Sequence, residues 1–365
     1  MQEPLRVLQM IASLYNGGSQ AMIMNLYKNI DRNRIQFDFI VDHPEYDYYK
    51  ETIEKLGGKM YTMPLFNGKN ISEVKKAWND FFVDQPEYRI LHSHARSYAS
   101  IYLPIARKHN VKTIIHSHNT SNGKGISSIA KSITQFPLRF QSDYYFGCSK
   151  DAGRWLFGKR VVESDRFFVL NNAIDARQFR YSKETRDQYR KEFGLDDQKV
   201  YIQVGSLSDQ KNHKFTIEVF AKLCKEKPDC RLYIVGVGDN KEDIENRIKN
   251  YGLENKVFLL GRRSDVNNLL QMADCYIMPS IYEGLSVAAI EAQASGIHCF
   301  LSDVVSKDVC VTDVCEFLPL DIDVWVSALK REFERKDTYR QIVDAGYDIH
   351  DTARWLTDFY EGLAK

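Results

Sequence analysis

Short apolar runs alternate with longer amphipathic stretches along the whole chain. Arg6 to Ile11 (RVLQMI) has the length of a buried strand, and Met22, Ile23, Leu26 and Ile30 follow it at helical spacing. FDFIVD (Phe37 to Asp42) predicts a second strand. After it come a helix near Tyr48 to Leu56, a short KMYTMP strand and an amphipathic helix over about Ile71 to Phe82. RILHSHARS (Arg89 to Ser97) and TIIHSHNTS (Thr113 to Ser121) each read as an apolar strand ending in His-x-His. DYYFGCS is a further strand, and RFFVLNNAID (Arg166 to Asp175) closes the first half. The same rhythm returns in KVYIQVGS (199–206), a helix over His213 to Cys224, CRLYIVGVGD (230–239), VFLLGRRSDV (257–266), a helix to Met272 and CYIMPS (275–280). Strands alternating with helices at this spacing predict parallel, doubly wound α/β sheets. A chain of 365 residues suits two such domains. The charged stretch Arg177 to Gln198 (RQFRYSKETRDQYRKEFGLDDQ) is the composition shift expected at their junction. It places domains at 1–176 and 177–349, with a last helix over 350–365.

Composition narrows the function more than the fold. A formal charge of +1 gives no strong whole-molecule attraction to nucleic acid, so no nucleic-acid partner is expected. The seven cysteines are scattered, with no Cys-x-x-Cys pair, which speaks against a disulfide scaffold or a zinc ribbon. No run of 18 apolar residues occurs and the N-terminus lacks a signal-peptide layout, so a cytoplasmic chain, soluble or peripheral to a membrane, is expected. Residues 124–139 carry no acidic side chain. Ile126, Ile129, Ala130, Ile133 and Phe136 would share one helical face there, with Lys124 and Lys131 opposite. That face suits either the inner surface of a cell membrane, with its anionic lipid or lipid-linked acceptor, or packing on the core behind a basic outer side.

Candidate chemistry gathers at predicted strand ends, where ligands bind in doubly wound sheets. Gly17 and Gly18 lie between a strand and a helix, but this is not Gly-x-Gly-x-x-Gly, so the dinucleotide fingerprint is absent. On a strand, residues i and i+2 share a face, so either His-x-His pair could grip a metal. No acidic or cysteine third ligand stands at a recognisable spacing, and no metal is expected. Asp321-Ile322-Asp323 resembles a metal-binding Asp-x-Asp, but its place far downstream makes a solvated turn the expectation.

The densest stretch is PSIYEGLSVAAIEAQASG, from Pro279 to Gly296. Ser286 is placed to cap a helix over about Val287 to Ser295, and Gly296 to end it. Glu283 then lies in the loop ahead of the helix and Glu291 on its second turn. The unpaired amides of Leu285 to Ala288 favour an anion. Two glutamates cannot both fill one amide pocket. The simpler arrangement has the amides on a phosphate and the carboxylates accepting hydroxyl hydrogen bonds on either side of it, which describes a nucleotide sugar. The plainer alternative is an ordinary buried βα turn with one solvated glutamate. A sugar transfer also needs positive charge at the departing phosphates. Lys211, in QKNH after a strand, is the candidate, although alone it would read as a solvated loop lysine.

An E-x7-E element written EGLSVAAIE, preceded by PS and followed by A-x-A-S-G, resembles the donor-binding signature of family 4 glycosyltransferases of GT-B fold. The nearest branch is the bacterial enzymes of capsular and exopolysaccharide synthesis. The resemblance implies two Rossmann-like domains facing one cleft, with the last helix crossing back onto the first. It also implies a retaining, metal-independent transfer from a nucleotide sugar, UDP-linked by expectation, to a glycan or lipid-linked oligosaccharide. Glu291 would take the ribose hydroxyls and Glu283 the donor sugar. Lys211 would face the phosphates, the backbone at Gly261-Arg262 the base, and His118 the transferred sugar. The Gly17-Gly18 loop would admit substrate to the backbone. The chain departs from the family at Ser206, where an arginine is usual, at Gln20, where a glutamate is common, and at Ser286, where a proline is usual. Arg262 or Arg263 could supply the missing charge. Two other functions stay open: a sugar-nucleotide 2-epimerase of the same fold, and a non-catalytic subunit partnering an active transferase.

Overall fold

The computed structural model describes residues 3–15, 18–118, 132–283 and 285–365. The chain divides into two compact units, one of Met1–Ala173 with Ile349–Lys365 and one of Ile174–Asp348.

The first unit holds seven parallel strands: β1 (Leu5–Met10), β2 (Ile35–Val41), β3 (Met60–Thr62), β4 (Ile90–Ser93), β5 (Lys112–Ser117), β6 (Tyr144–Gly147) and β7 (Phe167–Val169). Their order is β3-β2-β1-β4-β5-β6-β7. Every residue of β2 and β4 is buried, as expected for strands covered on both faces. One face packs under helices Gly18–Asn29 and Ile349–Ala364, with Val7, Phe37, Ile90, Ile114, Leu356 and Tyr360 in its core. The other packs under helices Ile71–Asp84 and Ala99–Lys108, where Trp78 stacks on Tyr102 with ring centroids 4.3 Å apart.

The second unit holds six parallel strands: β8 (Lys199–Val204), β9 (Cys230–Val235), β10 (Val257–Gly261), β11 (Cys275–Met278), β12 (His298–Ser302) and β13 (Cys315–Leu318). Their order is β10-β9-β8-β11-β12-β13. The two chain ends of this unit lie side by side, joined by the Ile174 amide donating to the Tyr347 carbonyl.

Three stretches singled out in the sequence take a definite form. The units meet at Ala173/Ile174, and the charged stretch Arg177 to Gln198 just after it folds into the second unit. Its helix Lys183–Glu192 packs on helix Val266–Met272. Arg186 donates to the carbonyls of Gln271, Met272 and Ala273 and pairs with Asp274 at 2.6 Å, and Arg190 donates to Met272. These guanidinium groups satisfy a helix C-terminus. The Asp321-Ile322-Asp323 turn is a helix cap, with the Asp321 carboxylate accepting from the Asp323 and Val324 amides ahead of helix Ile322–Leu329. On the basic stretch 124–139, Ile126, Ile129 and Ala130 lie outside the described residues. Ile133 and Phe136 do not pack into the core, being 69% and 55% exposed. No helix among the described residues is long and apolar enough to cross a membrane, and all seven cysteines are free.

Gly296 ends helix Val287–Ala294 as the sequence predicts, at φ +72°. A Cβ there would fall 1.9 Å from the Lys336 carbonyl oxygen. Gly296→Ala is therefore expected to destabilise this unit by roughly 2–4 kcal/mol, from left-handed strain plus the overlap. Urea unfolding midpoints check this; an unchanged midpoint would contradict it.

Candidate functional site

The second unit gathers its polar loops where β8 and β11 end. β8 runs through Gly205 into a 3-10 turn, Asp209–Lys211. The turn is closed by Asn212 at φ +54°, a left-handed conformation that asparagine tolerates better than most residues. β11 runs on into Pro279 and Ser280. The two ends are joined by backbone and side chain: the Ile281 amide donates to the Gln210 carbonyl, and Asn212 Nδ2 to the Pro279 carbonyl. Gln203, buried on β8, donates to the Lys211 carbonyl and accepts from Thr216. A Cβ on Gly205 would lie 2.8 Å from Lys211 Cε, so glycine there lets the lysine stem cross the strand end.

That arrangement sets Lys211 Nζ 2.6 Å from Glu283 Oε2, with both side chains nearly buried at 12% and 11% exposure. Gln210 Nε2 donates to Glu283 Oε1 at 3.0 Å, and Ser280 Oγ to Oε2 at 3.3 Å. An ammonium has three N–H donors, so the pair leaves two for another anion. The carboxylate keeps room on Oε1 for one more donor.

Glu291 stands on helix Val287–Ala294 and is half-buried. Among the described residues its carboxylate has no hydrogen bond and no ion pair, and desolvation pushes it up to about 7. At the helix start, no backbone acceptor holds the amides of Leu285, Ser286, Val287 and Ala288 among the described residues. Ser286 occupies the N-cap position with extended backbone, but its side chain makes no capping bond, so these amides could donate to an anion. The helix is fixed from behind by Gln293. Its Nε2 donates to the Val309 carbonyl, and its Oε1 accepts from Val311, Thr312 and the Thr312 hydroxyl.

The remaining sequence candidates separate. Ser206 is exposed and its hydroxyl meets the Ser208 hydroxyl, so no charge replaces the usual arginine at its position. Arg263 is engaged elsewhere, its Nε and Nη2 donating to the Asp265 carboxylate at 2.8 and 2.6 Å. Arg262, after Gly261 at φ +65°, is exposed and has no ion-pair partner among the described residues. Gly17 lies outside the described residues. Gly18 is exposed at the start of its helix, and Gln20 donates to the Ser13 carbonyl.

In the first unit the two His-x-His pairs form one cluster. β4 pairs with β5 in register, and the rings of His92, His94, His116 and His118 lie against one another with centroids 4.1 to 5.4 Å apart. His118 Nε2 is 2.9 Å from His94 Nδ1. Burial and the nearby Arg96 charge push His118 down to about 3, so its imidazole is neutral at pH 7. The sequence shows no acidic or cysteine third ligand, but the fold brings a third histidine to the pair: His92, His94 and His116 each place a ring nitrogen within 4.8 Å of the others.

Residues 16–178 match the family model Glycosyltransferase Family 4, and residues 185–313 match Glycosyl transferases group 1. The chain belongs to the family 4 glycosyltransferases. It is 29% identical to the Bacillus subtilis (strain 168) protein EpsF, named as a glycosyltransferase, over 97% of this chain and 96% of that one. It is 25% identical to the Escherichia coli UDP-Gal:alpha-D-GlcNAc-diphosphoundecaprenol alpha-1,3-galactosyltransferase, over 68% of this chain and 67% of the relative. Among solved structures it resembles Anabaena Alr3699/HepE in complex with UDP, at a TM-score of 0.72 and 15% identity over 96% of this chain and 94% of that one. The glycosyltransferase has the GT-B fold, with parallel sheets of seven and six strands.

Proposed function

We propose that the chain moves a sugar, with retention and without a metal at the phosphates, from a UDP-linked donor to a lipid-linked oligosaccharide of a surface polysaccharide. One observation carries the donor side: Lys211 paired with Glu283, free helix-start amides and an unpartnered Glu291 carboxylate all belong to one unit. The lysine and the amides supply positive charge for a diphosphate. Glu291 accepts from the ribose hydroxyls, and Glu283 accepts one hydroxyl of the sugar through the open side of Oε1. Arg262 meets the base. His118, neutral, approaches the transferred sugar as a hydrogen-bonding group. Attack comes from the face the nucleotide leaves, and the departing phosphate oxygen takes the acceptor proton. The E. coli relative supports a UDP donor and a lipid-linked acceptor, and the UDP complex of the Anabaena protein supports the nucleotide. The exposed Ile133, Phe136 and Phe140 support contact with the inner membrane surface, where such an acceptor is held. Replacing Ile133 and Phe136 by aspartate should abolish co-flotation with anionic vesicles; unchanged flotation would remove this part.

The roles of the two glutamates separate by calorimetry. Glu283→Gln should keep the affinity for UDP within about twofold and weaken UDP-sugar about tenfold or more, the loss of one charge-assisted hydrogen bond. Equal loss of both ligands would overturn this division.

A further inference from the structure

Two buried histidines of the first unit have ring nitrogens that the described residues leave unanswered. His116 is fully buried, and among the described residues neither Nδ1 nor Nε2 has a hydrogen-bond partner; His92 is 1% exposed and its Nε2 has none among them either. A neutral imidazole has one N–H donor and one lone pair, so His116 buries both without a partner, an arrangement that costs free energy. Something of suitable chemistry belongs between them.

We propose that His92, His94 and His116 form a binding site for a divalent ion of imidazole preference, Zn²⁺ first. Their ligand nitrogens already lie within 4.8 Å of one another. Three nitrogens about 2.0–2.1 Å from a tetrahedral ion are separated by roughly 3.3 Å, so the longest side closes by about 1–1.5 Å on binding. Register explains the gathering. His92 and His94 share a face at the end of β4, and His116 is on the same face of β5 beside them. Burial pushes His92 down to about 3 and His94 and His116 well below their usual range, so all three are neutral, which is the ligating form.

The surrounding partners also suit ligation. Tyr360 OH lies 2.6 Å from His92 Nδ1, and Gln9 Oε1 lies 3.0 Å from His94 Nε2. An amide oxygen only accepts, so His94 Nε2 carries its proton and its Nδ1 holds the lone pair. With His92 Nδ1–H donating to Tyr360, its Nε2 is free for the ion. Metal-bound histidines generally give their second N–H to such a partner. His94 Nδ1 accepts from His118 Nε2 in the present arrangement, so an ion there competes with His118 and changes the ring's surroundings too.

The test is a titration of the whole protein, labelled with ¹⁵N in its nine histidines, with Zn²⁺ alone. The site requires one ion per chain and displaced ring-nitrogen resonances for His92, His94, His116 and His118. Tyr360→Phe, a conservative change, should weaken this binding about tenfold or more by loss of the outer hydrogen bond. His94→Asn, at a half-buried position, should weaken it further. Ring nitrogens unmoved at saturating Zn²⁺ would overturn the proposal and leave a buried water as their partner. So would Zn²⁺ binding of equal affinity in wild type and His94→Asn, which would place the ion on the cysteines.

Discussion

Lys211→Ala is expected to lower kcat by about 10²–10³, the effect of removing one preformed donor from a developing oxyanion. The loss should fall at the high end, because Ser206 brings no charge and Arg263 is engaged by Asp265. A structural cause must be separated from a chemical one. With the lysine gone, Glu283 remains nearly buried with only Gln210 and Ser280 as partners among the described residues. Stability should fall by roughly 1–3 kcal/mol for an uncompensated carboxylate that keeps some hydrogen bonds. The double variant Lys211→Ala/Glu283→Gln removes that charge. It should regain much of the stability and none of the rate, measured by urea unfolding and by UDP release. Recovery of rate with stability would reduce Lys211 to a structural ion-pair partner.

UDP affinity is expected to fall about tenfold between pH 8 and pH 6, following the Glu291 carboxyl raised to about 7 by desolvation. Only the carboxylate accepts both ribose hydroxyls, so binding favours the deprotonated form, and protonation below about 7 competes with the nucleotide. The stability effect has the opposite sense. Native Glu291 holds a proton that the unfolded chain loses near the ordinary glutamate value of 4.5. Stability is thus present in full below about 4.5 and falls as pH rises towards 7, by at most about 3 kcal/mol. Glu291→Gln should be more stable than wild type at pH 8, bind UDP less tightly, and show a flat pH profile. Titrations at pH 6, 7 and 8 check this; a parallel pH dependence in wild type and Glu291→Gln would contradict it.

The sequence made the βα rhythm legible because buried parallel strands read as short apolar runs, and most strands and helices lie within two or three residues of their expected places. Helix Val287–Ala294, its N-cap position and Gly296 were legible from local capping chemistry alone. Contacts that depend on strand order were not. The Lys211–Glu283 pair joins residues 72 apart, and it forms because β8 and β11 become neighbours in the sheet. The histidine cluster was half legible: each His-x-His pair shows its own shared face, but their union depends on β4 lying beside β5. Gln210 and Gln293 carry no periodic or motif signal, and only the folded loops show that they hold Glu283 and the helix behind Glu291. In Arg177 to Gln198 the composition shift marked the junction to within a few residues, but not that Arg186 and Arg190 turn inward to cap a helix, because their acceptors lie 85 and 82 residues further along the chain.

The central claim is that the Ile174–Asp348 unit holds the nucleotide through Glu291 and the helix-start amides. Calorimetric titration of UDP into wild type and Glu291→Ala at pH 8 tests it most directly. The account predicts one UDP per chain in the wild type and at least tenfold weaker binding in the variant, with the unfolding midpoint not lowered. Equal UDP affinity in the two proteins would contradict it.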